Sequence, residues 1–237
     1  MEKINLSDYG YDCIQIETSS ACNMACSFCP YPLKEDKTTK LPFDDIKNII
    51  DQINPNDKKF RHIDFSLFNE PFLDNRIFDI AEYAKKSGFK ILITTNGVLL
   101  NKEKNINGLL KLKPEMVISL QVLDSNIHKE ARGLNLDLDR YVKPIVDFCI
   151  KAKNQDFNVQ VDIGCNYNSK FSLYLKKILG VSTGDPSVPR DVKTTISRLR
   201  EILKMFYDVS DEEYKTKSKA LIDINEIKKI FDKDYGI

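Results

Sequence analysis

Apolar and polar residues alternate over Cys13–Glu17, and a period of two predicts a short strand. The spacing changes at Phe43. From there Phe43, Ile46, Ile49, Ile50 and Ile53 fall on one helical face. Alternation returns over His62–Phe68, where Ile63, Phe65 and Leu67 share one side of a strand. Ile77, Ile80, Ala81 and Ala84 then mark a helix face that Gly88 is placed to stop. Lys90–Thr95 reads as the next strand, closed by Asn96 and Gly97. A helix carrying Ile106, Leu109 and Leu110 follows, with Asn101 as its expected cap. Met116–Val122 is a fourth strand, Tyr141–Ile150 a helix with Pro144 in its first turn, and Phe157–Ile163 a fifth strand.

Five strands separated by helices imply βα units and a parallel sheet, because parallel neighbours need long crossovers and these are right-handed. The expected class is α/β, a partial (β/α)5–6 TIM-type barrel, since the rhythm fails after about Asn168. Beyond it, Ser172–Leu179 suits a helix and Gly180–Pro189 a linker. Ile196, Leu199, Ile202, Leu203 and Phe206 mark an amphipathic helix. Ala220–Ile224 fits either a strand or the start of a helix running to Phe231. The expected organisation is a barrel core over 1–179 and a mostly helical extension over 180–237.

Composition narrows the function classes. The 237 residues are 42% hydrophobic and 30% charged, with 9 Gly and 9 Pro, which excludes collagen, low-complexity disorder and a disulfide-dense mini-protein. Lys+Arg at 36 against Asp+Glu at 35 leaves +1, so no nucleic-acid partner is indicated. No run approaches about 18 apolar residues and Met1–Tyr11 has no signal-peptide pattern, so the expected setting is cytoplasmic, away from the membrane. In a reducing cytoplasm six cysteines are expected to be ligands or buried thiols rather than disulfides.

Three of them are concentrated. Cys22, Cys26 and Cys29 are spaced C-x3-C-x2-C in the loop directly after the first strand. Three thiolates can hold three irons of a four-iron cluster, leaving the fourth open to a ligand. A zinc site is the alternative, with Cys13, Cys165 or His62 as its fourth ligand. Cys13 and Cys149 read as buried structural residues, and His62 and His128 as structural histidines.

The segment Cys22-Asn-Met-Ala-Cys26-Ser-Phe28-Cys29 resembles the signature of the radical S-adenosylmethionine (SAM) superfamily. Further motifs at successive strand ends resemble it too. The second strand ends Phe68-Asn69-Glu70-Pro71, where the family has Gly-Gly-Glu-Pro. The third ends Thr94-Thr95-Asn96-Gly97, and the fourth reads Ile118-Ser119-Leu120-Gln121. His128 and Arg132-Gly133 follow, and the fifth strand ends Gly164-Cys165-Asn166-Tyr167-Asn168, as in peptide-modifying members.

The resemblance implies a [4Fe–4S] cluster on Cys22, Cys26 and Cys29, and SAM bound through its amino and carboxylate groups. It also implies reductive cleavage of SAM to a 5′-deoxyadenosyl radical that abstracts a hydrogen atom from a peptide, protein or small metabolite. Glu70 would take the methionine ammonium, with backbone carbonyls of Phe68 and Asn69 beside it, and Arg132 the carboxylate. Ser119, Gln121, Asn166 and Asn168 would face the ribose, Phe28 the adenine, and Asn96 is divided between ligand and turn. An electron donor of the flavodoxin or ferredoxin type is implied. Phe68-Asn69 in place of two glycines narrows the approach of SAM to the backbone. With Cys149 and Cys165 alone after Cys29, no auxiliary-cluster domain is expected. A degenerate relative that binds a cluster without catalysis is the second reading.

Overall fold

The computed structural model describes residues 3–120 and 125–162. They fall into two compact units, one of residues 3–119 with 157–160, the other of 120, 125–156, 161 and 162.

In the first unit, β1 (Cys13–Gln15), β2 (His62–Asp64), β3 (Ile91–Thr95) and β4 (Glu115–Ser119) pair in parallel, each with the next. The registers set Cys13 beside His62, Ile63 beside Ile91 and Thr95 beside Ile118. β5 (Gln160–Asp162) completes the order β1-β2-β3-β4-β5. This unbroken sequence order is what successive right-handed βα units wound one way produce. The strands are shorter than the alternation suggests. β1 and β2 end at Gln15 and Asp64, and one further amide on each still reaches the neighbouring strand: Ile16 donates to Asp64 O at 2.8 Å and Phe65 to Leu92 O at 3.2 Å. In β2 the ladder gives way at Ser66, whose amide turns to Asp64 Oδ1 at 2.8 Å.

Helices α1 (Phe43–Gln52), α2 (Ile77–Lys86) and α3 (Glu103–Leu112) connect these strands, and neighbours in that order touch. The buried faces of α1 (Ile46 and Ile50) and α2 (Ile77, Ile80, Ala81 and Ala84) follow the stripes read from the sequence; in α3 Leu109 is buried as read, but Asn105 and Leu112 join it while Ile106 and Leu110 are half-buried. The three helices bury the core with Ile63, Phe65, Ile93 and Ile118, all fully enclosed. Each such side chain contributes about 1.5–3 kcal/mol by leaving water.

Gly88 follows α2 at φ +97°, and a Cβ there would stand 3.1 Å from Pro55 Cβ. Gly88→Ala is expected to cost about 1–2 kcal/mol through the left-handed backbone. Thermal unfolding followed by circular dichroism measures this, and an unchanged midpoint would refute it.

Two local expectations are corrected. Asn101 does not cap α3. It ends a 3-10 turn over Val98–Asn101, and Lys102 stands at the N-cap without a side-chain bond. Pro144 is not in the first turn of its helix. α5 runs from Leu138 to Lys153 because Asp137 caps it, accepting the Arg140 amide at 3.1 Å, so Pro144 lies inside. Pro144 has no amide hydrogen for the helical ladder there.

In the second unit, α5 buries Leu138, Val142, Ile145, Phe148 and Ala152 on one face. α4 (Ser125–Arg132) precedes it. The readings beyond Asp162, and those at Gln121 and Val122, lie outside the described residues.

Candidate functional site

The loop between β1 and α1 carries Cys22, Cys26 and Cys29 and leaves the carboxyl end of β1. Its entry and exit run side by side. The Ser20 amide donates to Thr39 O at 2.8 Å and the Leu41 amide to Thr18 O at 3.0 Å. Arg76 braces the entry from α2's side. Its Nη2 donates to Thr18 O at 3.3 Å and to Asp74 Oδ2 at 2.8 Å. Burial raises the Asp74 carboxyl, but the Arg76 hydrogen bonds and charge outweigh it and hold the group below the usual carboxylate range.

Cys26 is buried and Cys22 and Cys29 are half-buried. Among the described residues no disulfide joins any cysteine. Burial is the largest influence on the Cys22 thiol, pushing it up to about 11. The Met24 amide bond opposes this, while Glu70, Cys26 and Cys29 add to it. A site that crowds three thiols and a carboxylate favours a cation among them, since thiolate ligands form only when positive charge offsets that repulsion. Among the described residues no three His, Cys, Asp or Glu side chains converge as on a single ion. A cubane asks for something else: each thiolate takes its own iron corner, so the sulfurs stand apart. The donor set, all sulfur and on one loop, fits that group.

The zinc alternative loses two of its three fourth ligands. Cys13 and His62 begin β1 and β2 and are paired in register, at the strand ends opposite to the cysteine loop. Cys165 lies outside the described residues. Cys13 is half-buried and Cys149 buried. Desolvation pushes the Cys149 thiol up to about 12, which suits an inert core residue.

Glu70 stands at the centre of the strand-end contacts. It is 1% exposed, so it is not a surface carboxylate. Its Oε1 accepts from Thr95 Oγ1 at 2.7 Å and from the Phe72 amide at 3.3 Å, and its Oε2 accepts from the Asn96 amide at 2.8 Å. Its own amide donates to Ala21 O at 2.8 Å, one residue before Cys22. An ionised carboxylate offers about four lone-pair sites. At least three are directed at chain donors.

Asn96 is buried and fills the turn role of the two read for it. Its Oδ1 accepts the Val98 amide at 3.0 Å, with Gly97 at φ +80° beside it. Its Nδ2 donates to Asn23 Oδ1 at 2.7 Å, inside the cysteine motif.

The Phe68-Asn69 replacement has a local explanation. Asn69 Oδ1 accepts the Leu67 amide at 3.0 Å and its Nδ2 donates to Phe65 O at 3.3 Å, so this side chain builds the turn. The Phe68 amide donates to Glu17 Oε1 at 3.0 Å, and Glu17 Oε2 accepts from Lys34 Nζ at 2.5 Å. Phe68 and Phe28 are exposed. Ser119 ends β4, half-buried. Gln121, Asn166 and Asn168 lie outside the described residues.

Thr95, Asn23, Glu17 and Tyr31 are the residues that sequence reasoning did not single out. Thr95 carried a signal, as a hydroxyl directly before the Asn-Gly turn. Glu17 and Tyr31 act through backbone partners and Asn23 through the Asn96 side chain, 73 residues on, and these contacts leave none.

The chain matches the radical SAM superfamily over residues 16–161. It belongs to that superfamily. Its members work with a [4Fe–4S] cluster and SAM, and these are the cofactors membership brings. A tungsten-containing aldehyde ferredoxin oxidoreductase cofactor-modifying protein of Pyrococcus furiosus is 31% identical over 124 residues, 51% of this chain and 32% of that protein. The chain thus spans about a third of the length of the curated relative it matches. Streptococcus suis SuiB bound to S-adenosylmethionine superposes at a TM-score of 0.52 with 19% identity, covering 82% of this chain and 47% of SuiB. SuiB bound to precursor peptide SuiA gives 0.52 and 19% over 70% of this chain and 36% of SuiB. The likeness establishes the fold: parallel βα units in the partial TIM-type barrel of radical SAM proteins.

In the second unit of this radical SAM chain, Arg132 and His128 are both buried on α4. The His128 ring leans on Tyr141, centroids 5.2 Å apart. Burial, then the Arg132 charge, lowers the imidazole to about 4, with the Leu134 backbone opposing. The folded-state value lies below the unfolded one of about 6.5, so between those values the unfolded chain binds the extra proton. This contribution to stability is therefore present above about pH 6.5 and is lost as pH falls toward about 4. His128→Gln is expected to flatten the fall of the thermal midpoint across that window. Identical pH profiles for the two proteins would refute it. No described helix is long and apolar enough to cross a membrane.

Proposed function

We propose that Cys22, Cys26 and Cys29 hold a [4Fe–4S] cluster and that the chain cleaves SAM to begin hydrogen-atom abstraction from a peptide or small metabolite. The observation that carries the reading is the cysteine loop laced to the strand ends by Glu70 and Asn96. When bound and reduced, the cluster supplies the electron that splits SAM into methionine and a 5′-deoxyadenosyl radical. Glu70 holds the SAM ammonium beside its three chain donors. Arg132 pairs with the carboxylate, Ser119, Gln121, Asn166 and Asn168 serve the ribose, and Phe28 covers the adenine. Phe68 and Asn69 offer backbone carbonyls from a turn that Glu17 and the Asn69 side chain hold in shape. Residues 1–179 form the catalytic core and 180–237 an added segment. A flavodoxin- or ferredoxin-type protein delivers the electron.

The test is anaerobic reconstitution with iron and sulfide, followed by dithionite and SAM. Absorption near about 400 nm with four irons and four sulfides per chain, together with 5′-deoxyadenosine, is the expected result. Colour without 5′-deoxyadenosine would favour a cluster-binding relative without catalysis, a reading the Phe68-Asn69 replacement motivates. Stoichiometric zinc without sulfide would overturn both.

A further inference from the structure

Tyr31 lies two residues beyond the third cysteine and is 7% exposed. A buried tyrosine after a loop is ordinarily a core residue with a satisfied hydroxyl. This one is tied at both of its polar ends to the cysteine motif. Its hydroxyl donates to Cys22 O at 2.8 Å, and its amide donates to Cys29 Sγ at 3.4 Å. Between those points the Cys29 amide donates to Cys26 O at 3.1 Å. One residue therefore closes the eight-residue loop from Cys22 to Cys29 into a ring.

The ring is held from outside as well. Pro30 and Pro32 flank Tyr31 and restrict the backbone on either side of its amide. Tyr31 opens a 3-10 turn over Tyr31–Leu33, closed by the Lys34 amide on Tyr31 O at 3.0 Å. The Lys34 ammonium reaches Glu17, and Lys37 Nζ stands 5.4 Å from the Tyr31 ring centroid.

We propose that Tyr31 is a positioning residue for the cluster: its hydroxyl anchors the first cysteine's carbonyl so that its amide stays on the sulfur of the third. The inference rests on the cluster reading above. An amide aimed at a ligating thiolate stabilises negative charge there, and the reduced cluster carries one more negative charge than the oxidised one. Hydrogen bonds to ligand sulfurs are one of the protein's levers on cluster potential. Loss of the anchor loosens the amide and lowers the potential.

Tyr31→Phe keeps the buried ring and removes only the hydroxyl. The expected variant assembles its cluster with the iron and sulfide content of the wild type. In an anaerobic redox titration followed by electron paramagnetic resonance, its reduced-to-oxidised ratio at fixed potential falls about threefold. That is a shift of about 28 mV at 59 mV per tenfold for one electron, and the resonance of the reduced cluster changes with it. Tyr31→Met, which fills the same space without a hydroxyl, gives the same direction if the phenylalanine variant does not fold. Leu33→Ala, at an 85% exposed neighbour, leaves the potential unchanged. Wild-type potential and resonance in both Tyr31 variants, with full iron content, would overturn the positioning role alone. A wild-type chain that takes up no iron and sulfide would instead overturn the cluster reading beneath it.

Discussion

Cys26→Ala is expected to give a folded, colourless protein that makes no 5′-deoxyadenosine. Cys26 is the middle cysteine of the proposed ligand set and is 9% exposed, so the exchange deletes one buried sulfur. A loss of that size costs on the order of 1 kcal/mol of packing, well within what a domain tolerates. The backbone contact at this position, Cys26 O with the Cys29 amide, survives the exchange. The metal has no such reserve. With one of three thiolates gone an iron corner loses its protein ligand, and outer-shell changes alone cost 10–100-fold in metal affinity. Iron and sulfide content per chain should fall below about a tenth of wild type, and 5′-deoxyadenosine formation by at least about 100-fold. Circular dichroism should remain that of the wild type. A variant that retained cluster and activity would remove Cys26 from the ligand set.

Glu70→Gln is expected to abolish stabilisation by SAM and to destabilise the apo-protein as well. The two effects separate by measurement. Thr95 Oγ1, the Phe72 amide and the Asn96 amide all point donors at the carboxylate. A glutamine supplies one oxygen and an amino group, so at least one buried donor meets another donor. That costs about 1–3 kcal/mol, visible in the apo thermal midpoint. In the proposed site, loss of the Glu70 charge also removes the charge-assisted bond to the SAM ammonium, and SAM-dependent 5′-deoxyadenosine formation should fall at least tenfold, about 1.4 kcal/mol. Thermal unfolding with and without SAM reads both. If the variant lost stability yet SAM still raised its midpoint as in the wild type, Glu70 would be a strut for the β3 turn and not a ligand.

What the sequence reveals follows the range of the interactions involved. β3 alternates buried and half-buried residues, and its period is written directly in Ile91 and Ile93; β2 shows the same period in Ile63 and Phe65, although Asp64 and Ser66 between them are buried too. The stripes of α1 and α2 are legible because one face of each is buried. The motifs at the strand ends are short and contiguous, so Cys22, Glu70 and Asn96 stand out. Strand ends are less legible: β2 leaves the ladder where Asp64 captures the Ser66 amide, which breaks no period. The start of α5 depends on the Asp137 cap, whereas its apolar spacing points to Tyr141. Glu17 and Tyr31 are the least legible. One reaches across 51 residues to the Phe68 amide, the other back to a carbonyl, and a backbone partner imposes no residue type.

The Glu70 contacts also bear on where the entropy of ordering the site falls. Ala21, Thr95 and Asn96 come from the ends of β1 and β3, and Glu70 joins them from the loop after β2. Three strand-end segments, joined by contacts 25 and 26 residues apart in sequence from Glu70 to Thr95 and Asn96 and by its amide to Ala21, are thereby fixed together when the sheet forms. Immobilising flexible segments at the moment of binding would be subtracted from affinity. In the proposed SAM site most of that loss falls on folding instead, which leaves the free energy of binding for orientation. The same arrangement ties the site to the sheet: a peptide carrying the cysteine loop alone would lack Glu70 and Asn96 and the contacts they make with it.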